Sequence, residues 1–407
     1  MNDTLGDNCD HKSVTLETLP SDILYVIFSY CDIKCLLSLS CCSLKLYRLV
    51  ITDPYVWLHK SLRSLVTNQL SPQIICRSSC VLSTLEKCRV SHNWINGVYK
   101  EKVIIRHKTR YLPWICLEKD FLWLTKGNII LRYKRKSNNY CVYKRFVQKL
   151  MSATQDICRF VVTNDLVISG GRRGCIAIWD KYSGKSIYYE NNLHLNDINS
   201  VDSYKNRLII SGSKDKHIKL WSIIDNNFRS DVYLNYENTI LVNDRIWTVA
   251  TNELSDSFIV GSAGCGPMQP LIQYDIQSGQ LLNQFGTTHQ RGAGVLHAFW
   301  ESNTQVLSCG YDSFVRLWDT RATNRCVNNF EDPHDSVVYC MSSDHLYTIM
   351  TGTARYGLTR LWDKRYPNKC IQMYYVGNNN SPVYSLSFDP LCAYVALESS
   401  INKLSFI

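Results

Sequence analysis

The sequence predicts a mainly β chain of tandem hairpin repeats behind a small all-α segment. Two observations predict it: a strand ending in Trp-Asp or a close variant recurs through the second half, and a helix-period apolar pattern stands near the start. Composition agrees. Aromatic residues are 12% of the 407, with 10 Trp and 25 Tyr, types that fit a half-buried pleated surface. A hydrophobic share of 45% against 20% charged excludes a mainly disordered chain. At about 150 residues per domain the length suggests two or three domains.

Residues 1–15 are polar and read as a disordered N-terminus. Residues 16–58 read as short helices. Pro20 stands at a helix start, and Ile23, Leu24, Ile27 and Phe28 line one face after it. Asp32 is placed to cap a second helix through Cys35, Leu36, Leu37 and Leu39, and a third leads to Trp57. So short a segment makes at best a marginal core of its own, so its apolar face belongs with a partner or a neighbouring domain. The order Leu19-Pro20, Ile23-Leu24, Ile27-Phe28-Ser29-Tyr30, Leu36-Leu37-Ser38-Leu39-Ser40, Asp53-Pro54 and Trp57 resembles the F-box. It departs at Leu46, where Trp is common, and by one extra residue before Asp53. The resemblance implies docking on the adaptor Skp1, which bridges to cullin and RING subunits. It carries over Leu19, Pro20, Ile23, Leu24, Ile27 and Phe28 as the adaptor contacts.

Residues 59–93 mix apolar positions with Lys and Arg. They predict a stiff helical linker, broken at Pro72, between two modules with separate cores.

From residue 94 onward the chain is repetitive. Trp179, Trp221, Tyr274, Trp318 and Trp362 are spaced 42, 53, 44 and 44 residues apart, and most follow a turn and a short strand such as Leu166–Gly171 or Leu208–Ser213. Weaker copies at Tyr133 and Leu404 bring the count to seven. Spacing and Trp-Asp pairs resemble the WD40 repeat, whose four-stranded blades surround a central channel, so the resemblance implies a seven-bladed β-propeller over 94–407. Ser211, Asp215 and Trp221 share offsets with Ser308, Asp312 and Trp318, and His194 stands where the family places the His of a buried ladder. Arg173 replaces the ladder Asp in one copy and an extra residue near Arg355 and Tyr356 disturbs another, so those blades are expected to lack the full ladder. The last copy ends after three strands. An unpaired edge there would invite aggregation, so the strand-like run Val98–His107 is expected to supply its outer strand.

Together the two resemblances identify the chain as a member of the F-box/WD-repeat family. Asp244–Trp247, Arg291–Leu296, Ser308–Asp312, Pro333–Ser336 and Tyr356–Asp363 are similar to one subgroup of that family.

The remaining composition narrows function. The start lacks the basic head and apolar run of a signal peptide, and no stretch is long and apolar enough to span a membrane, so no membrane partner is expected. The 18 cysteines form no Cys-x-x-Cys pair and no zinc-finger cluster, and read as reduced thiols, mostly small core residues. No P-loop or Gly-x-Ser-x-Gly occurs, and Gly264–Pro267 and Arg291–Gly294 read as loops between blades. No metal, cofactor or catalytic residue is expected. The reading is a non-catalytic substrate receptor of an SCF ubiquitin ligase, cytoplasmic and/or nuclear, that marks a bound protein for proteasomal degradation. The turns between second and third strands supply Arg172, Arg173, Lys214, Tyr311, Arg355 and Tyr356 as a rim suited to an acidic or phosphorylated protein segment. Net charge is +10, and residues 100–149 alone hold 14 Lys or Arg against Glu101, Glu118 and Asp120. Interleaved with Tyr111, Trp114, Trp123, Tyr133, Tyr140 and Tyr143, that run supports an alternative, a basic propeller scaffold for nucleic acid or chromatin, which the F-box pattern disfavours.

Overall fold

The computed structural model describes residues 15–78, 80–107, 112–135, 142–153, 156–225, 232–287, 290–377 and 380–407. Residues 1–14 of the expected disordered N-terminus, with Tyr111 and Tyr140, lie outside them. Among the described residues no helix is long and apolar enough to cross a membrane.

The helical module forms where local chemistry predicts it. Pro20 precedes α1 (Ser21–Tyr30), and Asp32 caps α2 (Ile33–Ser40) by accepting the Cys35 N–H at 2.7 Å. Ser43 caps α3 (Leu44–Tyr47) in the same way, and α4 (Tyr55–Leu62) carries Trp57. Leu24, Phe28, Leu36, Leu46, Val50 and Trp57 close the core, with the Trp57 indole donating to the Val50 carbonyl at 2.6 Å.

The linker is not a spacer. Pro72 occupies the first turn of α5 (Pro72–Ile75), where its missing N–H costs nothing, so it starts a helix instead of breaking one. Leu65, Val66, Leu82, Val90 and Trp94 are buried in one cluster with propeller residues such as Leu361, Tyr374 and Leu404. The Val66 N–H donates to Thr348 Oγ1 at 2.7 Å, Asn68 Nδ2 to the Asp344 carbonyl at 2.7 Å, and Arg77 Nη1 to the Ser343 carbonyl at 3.1 Å. Helix α6 (Thr84–Ile95), opened by a Ser83/Glu86 capping box, gives Cys88 to the helical core and Val90 and Trp94 to the propeller core. The expectation of separate cores is corrected: one amphipathic helix is shared, and a boundary at 93/94 would cut it two residues before its end.

The propeller has seven four-stranded antiparallel sheets. The seventh is completed from the front of the chain. Strand Lys100–Arg106 pairs with Ser400–Ser405, from Lys100 opposite Ser405 to Arg106 opposite Ser400. The seam is reinforced beneath. Trp94 stacks on Phe406 with ring centroids 3.6 Å apart and donates its indole N–H to the Pro390 carbonyl at 2.8 Å. Arg135 of the first blade forms a buried ion pair with Asp389 of the seventh and donates to the Arg77 carbonyl at 2.7 Å.

In the third blade the ladder is complete. His194 Nδ1 lies 2.9 Å from Asp215 and Nε2 2.8 Å from Ser211 Oγ, which also accepts the Trp221 indole N–H at 3.0 Å. Elsewhere it is rebuilt or partial. Trp318 donates to Ser308 while Asp312 turns to Arg316, and Trp362 donates to Thr351 beside a buried Arg360–Asp332 pair that also reaches His334.

Two outcomes are expected. Trp94→Ala should cost roughly 3–5 kcal/mol, as large aromatic truncations in cores do, read as a lower urea midpoint for the whole chain. A midpoint unchanged from wild type would mean the linker is not part of the propeller core. Separately, burial pushes the imidazoles of His107, His194 and His345 down, His107 and His345 to about 4. In the unfolded chain they take protons near pH ~6.5. Because the folded values are depressed, stability is full above that pH and falls as pH drops through it, well before carboxylates protonate. Equal urea midpoints at pH 7.5 and pH 5.5 would contradict this.

Candidate functional site

Two surfaces stand out, one on each module. On α1, Leu24 and Phe28 have no exposed area and belong to the module's own core, which corrects their assignment as adaptor contacts. The face presented to solvent is offset by one residue: Ile23, Val26 and Tyr30 are 46%, 61% and 88% exposed. Ile27 and Leu19 are half-buried and Pro20 is exposed. Leu44 and Tyr47 of α3 add further exposed apolar area. Among the described residues these three large side chains leave an exposed patch on one helix face.

The second surface is the mouth of the central channel, which opens into a cavity of about 540 Å³. Its lining follows a rule. In all seven blades the innermost strand begins with a buried Ile or Val; beyond the first blade, which opens with Ile115, these are Ile157, Ile198, Ile246, Val295, Val338 and Val383. In these six the pairing register then shifts across the following residue. Those following residues, Cys158, Asn199, Trp247, Leu296, Tyr339 and Tyr384, all line the cavity. A bulge re-aims a side chain out of the ladder, so the repeat uses one backbone irregularity six times to present a variable residue to the channel.

Trp114 completes the ring from the first blade, and Tyr339 and Tyr384 lie 6.0 Å apart in a stacked arrangement. Below them Arg159 reaches across from the second blade. It donates to Thr248 Oγ1 at 2.9 Å and the Leu296 carbonyl at 3.0 Å, with its guanidinium 4.2 Å from the Trp114 ring centre. Burial lowers its pKa to about 10, which leaves it charged at neutral pH. Among the described residues no carboxylate pairs with it. His297 meets Trp114 edge-on at 5.4 Å, and desolvation, then the Arg159 charge, hold it neutral.

Of the expected rim, Arg172, Lys214 and Tyr311 line this mouth, whereas Arg173, Arg355 and Tyr356 are exposed outside the cavity lining. Nor is the rim a bare ring of cations. Lys214 is held by Asp197 at 2.8 Å and Arg172 lies 3.8 Å from Asp156, with Glu398 also at the mouth. Arg159, Trp247, Tyr339 and Tyr384 are absent from the turn tips that suggested the rim, and Trp114 stood out in the sequence only among the aromatics of the basic run. The available signal was the variable residue after each strand-opening Ile or Val. Burial pushes the Cys158 thiol up to about 12, so it is protonated and a poor nucleophile.

Comparison with known proteins gives independent information. The family described as "F-box domain" matches residues 16–57, and "WD domain, G-beta repeat" matches 188–222 and 279–319. The chain is 32% identical over 392 residues to F-box/WD repeat-containing protein 4 of Mus musculus, covering 95% of this chain and 92% of the relative. The Homo sapiens protein of the same name is 33% identical over 393 residues, with the same coverages.

Proposed function

Because the chain belongs to the F-box/WD-repeat family, we propose that it is the substrate receptor of an SCF-type ubiquitin ligase. The observation that supports the reading is that two surfaces open among the described residues, the α1 face and the channel mouth, are fixed to one another by a shared helix. In this reading Ile23, Val26 and Tyr30, flanked by Pro20 and the half-buried Leu19 and Ile27, bind Skp1, and through it the cullin and RING subunits. Leu24 and Phe28 act indirectly by setting the helix. The channel mouth takes a segment of the target, in the cytoplasm and/or nucleus.

The target segment is read from the mouth's chemistry. Aromatic walls suit an apolar or flat group. At the floor, Arg159 is a desolvated cation with no carboxylate partner, suited to an acidic or phosphorylated group. Arg172, Lys214 and Tyr311 stand around the entry, and Arg173, Arg355 and Tyr356 lie farther out, where they would contact flanking residues. The protein's contribution is placement. Holding target and ligase in one frame turns a bimolecular encounter into an effectively intramolecular one, which is why a rigid junction matters.

Ile23→Glu with Val26→Glu should abolish co-purification of Skp1 while leaving the thermal midpoint unchanged, since neither side chain is in a core. Stoichiometric Skp1 on the double variant would sink the assignment of this face. Tyr339→Ala with Tyr384→Ala should reduce capture of ubiquitinated targets by about tenfold or more, the loss typical of removing aromatic anchors, with Skp1 retained. An unchanged target set would move recognition off the channel mouth.

A further inference from the structure

The outer strands of the seven blades differ sharply in charge. In five blades the described outer strands, Ser186–Glu190, Val232–Leu241, Leu281–Gln284, Asn328–Glu331 and Cys370–Tyr375, hold no Lys or Arg and three Glu. The other two are Lys100–Arg106 and Val142–Met151, in the adjacent seventh and first blades, and they hold six cations: Lys100, Lys102, Arg106, Lys144, Arg145 and Lys149. All six are exposed, and among the described residues none forms an ion pair. Their one carboxylate, Glu101, is occupied by the Gly377 N–H and the Asn402 amide. A merely solubilising surface intersperses both signs around a protein. Here the cations are gathered on one wall and left unneutralised.

Strand Val142–Met151 also carries exposed aromatic rings, Tyr143 and Phe146, among its cations. Its pairing with Ile129–Arg135 is irregular in two places, on either side of the Tyr133–Phe146 pair. Irregular, lysine-bearing edges resist addition of a further strand, so this wall is not built to take an extended peptide through its backbone. What it offers is side chains, namely unpaired cations to track a phosphate chain and rings on which bases can stack. From this we infer that the outer wall of the first and seventh blades binds single-stranded nucleic acid, at a site separate from the channel mouth and independent of the receptor reading.

The test uses the full chain and a fluorescein-labelled oligouridylate of about 20 nucleotides, long enough to cross more than one blade. Fluorescence anisotropy should show affinity that falls linearly with salt on a log–log plot, by about 0.7 per phosphate contacted. Lys144→Glu with Arg145→Glu and Lys149→Glu should weaken binding by tenfold or more and flatten that slope. The Gln triple at the same positions should weaken it less. Tyr143→Ala with Phe146→Ala should weaken it by about fivefold or more with the slope retained, the signature of stacking. A control triple elsewhere, Lys185→Glu, Arg325→Glu and Lys369→Glu, should change little. The inference is overturned by absent binding, by equal loss in the control triple, by no loss in the aromatic variant, or by a duplex of the same length binding as well. Competition by polyglutamate as effective as by unlabelled RNA would assign the wall to an acidic protein segment instead.

Discussion

The stacking of Trp94 on Phe406 is the contact on which the rest of this molecule depends. A propeller made from a linear chain must join its two ends, and here the outer strand of the last blade comes from residues 100–106, just after α6. An aromatic pair adds about 0.5–1.5 kcal/mol beyond its buried area, and Trp94 adds the indole bond to Pro390. More important is what Trp94 stands on. The helix that delivers it also delivers Cys88 to the helical core, so closing the ring and orienting the helical module are a single packing event. The receptor role proposed above requires a stiff frame, and stiffness here comes from sharing one helix between two cores.

The blades solve a second problem, how to keep a repeated scaffold while varying what it binds. Buried Ile and Val at the start of each innermost strand hold the blade, and in six blades the bulged residue after them is freed from the ladder. Trp, Tyr, Asn, Leu and Cys can all occupy that position because the backbone there makes no demand on the side chain. Arg159, one residue further along, is back in register and crosses the channel. Scaffold and site are thus separated by a single position along the chain.

This explains what was legible in the sequence and what was not. The cap at Asp32, the helix start at Pro20, the Trp spacing, the His194 ladder and an outer strand within Val98–His107 read directly from local or repeated patterns. Helical periodicity finds an apolar stripe without saying whether it faces core or partner. The richest stripe of α1, with Leu24 and Phe28, went to the core because burying it is worth most there. The linker's buried residues, Leu65, Val66, Leu82, Val90 and Trp94, follow no single period because they fit a surface formed by distant blades. The rim cations could not be discounted from sequence either, since Asp197 reaches Lys214 from the start of its own blade, 17 residues earlier.

The basic segment shows the same separation. Its charges are not one feature. Arg135 points inward and is spent on the seam, paired with Asp389 and bonded to backbone carbonyls of the linker and of the first blade. A buried pair of this kind contributes little net stability, because desolvation offsets most of its attraction, but breaking it would leave an uncompensated charge. That makes it a device for joining the right two blades. Arg132 is likewise engaged, lying over Phe121 and bonded to Gln148. The cations on the outer strands have no such task. Among the described residues they form no ion pair, and like charges on two neighbouring edges repel one another, so the outer strands gain no stability from them.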